Sequence, residues 1–182
     1  MSVSKWMSWE GGVDLVALSN ENMPMPNVIV HIARMVHTPI GSAPSGMILL
    51  PDETGMPKVM GFVSTEQKIG DYFGKNIFAG TPFESAPTII GEINVETDYP
   101  NFAKVTVKIE GYEIVSELSD LGETIRVSRQ SPDLPFHESS LEAKAWRTKL
   151  TVDGEELSVV IPPFGMSGGP AAVYSATGFY SR

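Results

Sequence analysis

The chain has 182 residues, 42% hydrophobic and 19% charged, with 13 basic residues against 22 acidic ones and a net charge of −9. This composition suits one globular domain with a sizeable core rather than a disordered chain, and so acidic a surface repels nucleic-acid phosphates. There are no cysteines, which removes disulfides, thiolate nucleophiles and cysteine-held metals and fits a reducing, cytoplasmic setting.

The first residues, MSVSKWMSWEGGVDLVAL, crowd Trp6, Met7 and Trp9 into an end of the chain that is ordinarily polar and frayed. One lysine, no apolar run of h-region length, and the interruptions at Glu10 and Asp14 argue against a signal peptide. No stretch reaches the roughly 20 apolar residues that span a bilayer, so no membrane partner is expected. Residues 1–27 read as a helical or irregular appendage ending in the stiff MPMPN, and residues 28–182 as the folded domain.

From residue 28 the dominant period is two. NVIVHIARMV (27–36), PKVMGFVSTEQ (57–67), PTIIGEINVET (87–97) and NFAKVTVKIEG (101–111) read as strands. The last of these alternates cleanly, with Ala103, Val105, Val107 and Ile109 on one face. YEIVSEL (112–118), GETIRVSR (122–129) and EAKAWRTKLTV (142–152) follow. DGEE (153–156) is a hairpin signal leading to LSVVI (157–161), and PAAVYSATGFY (170–180) closes the series. STEQKIGDYFGK (64–75) is the one internal segment with helical character, and QSPDLPFHESS (130–140) is a loop long enough to cover a barrel mouth. The pattern, eight to ten strands with short turns, predicts an all-β sandwich or closed barrel; the expected fold is a single antiparallel barrel of about eight strands, with room inside for one small ligand.

The familiar catalytic motifs are missing: there is no GxSxG, Walker-type loop, HExxH or CxxC. GMSGGP (165–170) precedes a strand rather than a helix, so it reads as a tight entry and not a phosphate cradle. His31 and His37 would lie roughly 20 Å apart on one strand, too far to share a metal, and His137 stands alone. No metal and no cofactor are expected. The arginines of RVSRQ (126–130) read as solvated charges, and Glu92, Asn94 and Glu96 as the wet face of a strand. Glu66 falls in register with Met60, Phe62 and Ser64, and a carboxyl there stands either at the strand end in water or inside a pocket with a raised pKa; in the second case it is the candidate catalytic or anchoring group. Trp146 shares a face with Thr148, Leu150 and Val152 and is expected inside, as core or as an apolar pocket wall.

The C-terminal GMSGGPAAVYSATGFYSR (165–182) resembles the closing strand of calycin-like barrels of the allene oxide cyclase and dirigent type, and IGDYFGKNIF (69–78) is similar to a Gly-Asp segment of the allene oxide cyclases. It resembles more closely the spirotetronate- and spirotetramate-forming [4+2] cyclases of the pyrroindomycin type, Diels–Alderases of natural-product biosynthesis. That resemblance implies a barrel closed by an N-terminal lid, a hydrophobic polyene tetramate or tetronate as substrate, and a homodimer. Such a reaction needs a folded substrate more than acid–base groups, and a near-attack conformer can supply up to roughly 7–11 kcal/mol. On this reading Trp6, Met7 and Trp9 form a flap hinged at Gly11-Gly12. Phe62, Trp146, Met166 and Tyr174 line the pocket, and Glu66 anchors the substrate. A fixed plug or a partner-docking tag are the alternatives for the flap. A lipocalin-like carrier or an allene oxide cyclase-like isomerase are the alternatives for the protein.

Overall fold

The computed structural model describes residues 5–182, so the first four residues of the expected lid lie outside the described residues. The strands are β1 (Trp6–Ala17), β2 (Val28–Thr38), β3 (Gly41–Pro51), β4 (Pro57–Ser64), β5 (Thr88–Ile90) and β6 (Glu92–Asp98), then β7 (Phe102–Ile109), β8 (Tyr112–Leu121), β9 (Ile125–Gln130), β10 (His137–Val152), β11 (Glu155–Glu156) and β12 (Ala172–Ser181). A short helix α1 (Gln67–Tyr72) runs into a π-helical turn (Phe73–Ile77). LSVVI forms no strand of its own, only a bridge between Val160 and Leu18.

The fold is all-β, but it is a curled, open half-barrel of twelve strands rather than a closed barrel of eight. Its order is β5-β4-β3-β2-β1-β12-β10-β8-β7-β6, with β9 and β11 also pairing with β10. Among the described residues only β4 and β5 run parallel. The sixteen-residue β10 joins two parts of the sheet. Its first half lies between β12 and β9, its second half pairs with β8, and a register shift falls at Leu141/Glu142.

Two apolar bodies follow from this curl. One packs Val13, Leu15, Val30 and Ile48 against Val105, Val107 and Leu118 of the far strands. The other lies on the opposite face of the same strands, where Ile29, Met47 and Phe62 meet Phe73 and Phe78 of the helical segment and Phe136 of the loop after β9. Strands β2 and β3 are therefore buried on both faces, which is why VIV and MILL are continuously apolar instead of alternating.

The N-terminal segment is a correction. Trp6–Ala17 is neither a lid nor an appendage but a central strand, hydrogen-bonded antiparallel to β2 along one edge and to β12 along the other. Moving it would cut the sheet in two. Gly11-Gly12 is not a hinge: Gly11 takes a φ of +63° within the strand, and Gly12 lies flat beneath the Trp9 indole, where an added Cβ would sit 3.0 Å from the ring. Gly178, opposite Trp9, allows the same close approach from β12, because a Cβ there would fall 1.9 Å from the indole. The strand's start is pinned by the Tyr72 hydroxyl, which accepts from the Trp6 N–H at 3.2 Å and donates to its carbonyl at 2.9 Å.

A chain lacking residues 1–20 is expected to lose the native fold. Far-UV circular dichroism and a urea titration check this: the expected result is no cooperative transition, and a native-like spectrum with a cooperative transition would contradict a central β1.

Candidate functional site

The face that carries the second apolar body holds a cavity walled by β1, β2, β3, β4, β10 and β12. Met7, Trp9, Met47, Phe62, Phe78 and Tyr180 are among the apolar side chains that line it. Phe62 stacks on Phe73 at 5.7 Å and meets Phe78 at 5.3 Å, while Phe136 stacks on Tyr180 at 4.2 Å. Leu134 and Phe136 roof a continuation of the cavity beside Met166. The roof segment is braced by the Ser131 hydroxyl, which donates to the Met166 carbonyl at 3.1 Å and accepts from the Leu134 N–H at 3.1 Å. The void left between these side chains is about 30 Å³, room for a water molecule or two. A larger occupant requires the roof and the π-helical turn to move apart.

The cavity has a polar floor, built from strand register. Asp14 on β1 sits directly opposite His31 on β2. Nδ1 of His31 lies 3.1 Å from Oδ1 of Asp14, an ion-pair contact that falls short of a well-formed hydrogen bond. On β10, Glu138, Ser140 and Glu142 share one face because strand side chains alternate. Glu138 lies opposite Tyr180 and Glu142 opposite Ser175. The Ser175 hydroxyl accepts from the Trp9 indole N–H at 3.0 Å, tying the apolar wall to the floor. Arg129 on β9, opposite Glu138 in the register, places Nε 3.4 Å from Glu138 and its Nη2 on Oε1 of Glu142. Its guanidinium lies flat on the backbone of Gly169, where an added Cβ would stand 2.5 Å from Nη2. The glycine-rich GMSGGP turn thus makes room for a buried arginine.

Both glutamates are almost fully buried, 3% exposed each, and one guanidinium serves the pair. Burial, the charge of Glu142 and a hydrogen bond with it push the Glu138 carboxyl up to about 7, against the pull of Arg129 and Ser140. The Ser140 hydroxyl stands 3.0 Å from Oε1 of both glutamates, yet it has one proton to give. A proton on Glu138 relieves both conflicts. For His31, burial opposes the charged form, but the Asp14 charge and contact and the Glu138 charge outweigh it and raise the pKa. Burial and the neighbouring carboxylates hold the Tyr180 hydroxyl protonated.

The expected site residues fare unequally. Met7, Trp9 and Phe62 line the cavity, the first two as wall rather than flap, and Met166 lines its continuation. Trp6 is half-buried and stacks on Phe179 at 5.8 Å, outside the cavity lining. Tyr174 lies opposite Val13 and packs on the first apolar body instead. Glu66 is exposed at the entry to α1, with its carbonyl taking the first helical hydrogen bonds, because β4 ends at Ser64 and the alternation stops there. Trp146 is 67% exposed with Lys144 Nζ 4.1 Å over its ring. Asp120 on β8, at φ +50°, lies between the pairs Ala145–Leu121 and Arg147–Ser119, and there the two strands exchange faces. Extrapolating inward-facing positions back from Leu150 therefore fails at Trp146.

Sequence reasoning missed Arg129, Glu138, Glu142, Asp14 and the pairing of His31. A signal was present in HESSLE: Leu141 faces outward, 38% exposed, while the two glutamates and Ser140 face in, an inversion of the apolar-in pattern. Among the described residues no group of three His, Asp or Glu side chains is placed to hold a metal ion, and no helix is long and apolar enough to cross a membrane. No family model, curated protein or solved structure matches the chain.

Between about pH 4.5 and 7 the folded chain keeps a proton on Glu138 that the unfolded chain, at the ordinary value of 4.5, has released. Stability therefore falls as pH rises through that window, by roughly 3 kcal/mol over its whole width. The raised pKa of His31 acts with the same sign: its contribution is complete below the ordinary value of 6.5 and is lost as pH rises through the folded one. Urea denaturation at a series of pH values is expected to show this decline and a flatter profile for Glu138→Gln. Equal slopes in the two proteins would contradict the assignment.

Proposed function

We propose that the protein is an enzyme that encloses a mainly apolar small molecule in this cavity and folds it for intramolecular cyclisation, the polar end of the substrate resting on the Glu138–Glu142–Arg129 floor. The observation that carries the reading is a buried ionic cluster at the base of an apolar cavity. Replacing such a cluster with packed hydrophobic residues is often neutral or stabilising, so its presence argues for a role other than holding the fold together. The resemblance to spirotetramate-forming cyclases makes the reaction a [4+2] cycloaddition, in which three π bonds become two new σ bonds and one π bond without a proton leaving the substrate. Apolar walls shape the polyene, and a protonated Glu138 hydrogen-bonds a carbonyl that activates the dienophile. The roof segment 131–136 takes the part of the lid.

One observation favours a second reading. A carboxyl near 7 is matched to proton transfer at neutral pH, so Glu138 also suits a general acid–base role in isomerising a carbonyl compound.

Incubation with a linear polyene tetramate bearing a diene and a dienophile distinguishes these readings. The cyclase reading expects an isomer of unchanged mass, formed faster than without protein, and about 10- to 100-fold slower with Glu138→Gln. Run in D2O, the cycloaddition places no deuterium on carbon, whereas an isomerase does. Binding without conversion of any polyene would leave a carrier and overturn the enzyme reading.

A further inference from the structure

The cavity floor is short of hydrogen-bond donors. Three carboxyl groups, Asp14, Glu138 and Glu142, face two basic side chains, Arg129 and His31. Arg129 is spent on Oε2 of Glu138 and Oε1 of Glu142, and Ser140 adds its single proton to the same pair. Oε2 of Glu142, on a residue 3% exposed, is left with no partner, and Oδ1 of Asp14 accepts no well-formed hydrogen bond either. Both residues line the same cavity. A buried acceptor left unmade costs its full desolvation, more so for a charged group. A ligand that brings a donor to these oxygens recovers that cost, and one that brings a further carboxylate adds a like charge beside them.

We infer that the cavity selects ligands whose polar end donates hydrogen bonds, an ammonium group or an amide or lactam N–H held by Glu142, and rejects those ending in a carboxylate. This rests on the cavity being the ligand site, as proposed above, but not on the cycloaddition. It gives the substrate a defined polarity: an apolar body entering beneath Phe78 and Phe136, with an N–H head pointing at β10. A tetramate head would be oriented by its lactam N–H.

The test compares n-octylamine, n-octanamide and n-octanoate, which share one tail, by isothermal titration calorimetry near neutral pH. High salt screens long-range attraction to the acidic surface. The amine and the amide are expected to bind at least about tenfold more tightly than octanoate, the difference one good hydrogen bond to a charged group provides. Glu142→Gln puts an amide where the carboxylate stood and is expected to narrow or reverse that order in octanoate's favour. Octanoate binding as tightly as the other two to the unaltered protein would overturn the inference and leave the cavity reading in place. Persistence of the original order in a folded Glu142→Gln protein would overturn the assignment to Glu142. Binding of none of the three would overturn the cavity reading and the inference with it.

Discussion

A single guanidinium held between two buried carboxyl groups is the constraint around which this cavity is organised. Arg129 reaches Glu138 and Glu142 only because β9 runs beside the first half of β10, and because Gly169 offers bare backbone for the guanidinium to lie against. Removing the arginine would leave two carboxyls uncompensated, a loss that typically costs about 3–5 kcal/mol. The cluster therefore ties the neighbouring strands of RVSRQ and HESSLE to the glycine-rich turn that lies further along the chain. It also leaves a chemical asymmetry. One carboxyl carries a proton near neutral pH, and the other, on a residue that lines the cavity, keeps a buried oxygen without a partner.

The apolar half of the cavity comes from the curl. Strands β2 and β3 are buried on both faces, so one face can belong to a conventional core while the other is given to a separate pocket. That pocket is covered by the elements least tied into the sheet, a short helix with its π-turn and a six-residue loop. Segments of this kind open at lower free-energy cost than the strands beneath them. A nearly filled cavity under a detachable roof, above a floor with unsatisfied acceptors, is an arrangement suited to an occupant that enters as the roof moves.

Much of the fold was legible in the sequence because half-buried strands advertise themselves by alternation, as in Ala103, Val105 and Val107 of β7. What failed did so where that rule has no purchase. β1 and β3 carry apolar residues on both faces with glycines between, so WMSWEGGVDLVA read as a greasy appendage when it is a central strand. Glu66 and Trp146 were assigned faces by carrying alternation past the end of β4 and past the kink at Asp120. The ionic cluster was hidden for a different reason: its members lie on β1, β2, β9 and β10 and meet only through register. The inverted pattern around Leu141 was its one local trace.

The account turns on the protonation of the glutamate pair, and carbon-13 NMR of the side-chain carboxyls over a pH titration measures it directly. The account predicts that the Glu138 carboxyl titrates near 7 in the folded protein and that its titration moves to lower pH when Glu142 is replaced by glutamine. A Glu138 carboxyl that titrates near 4.5 in the intact protein would contradict the shared-proton floor and the donor role built on it.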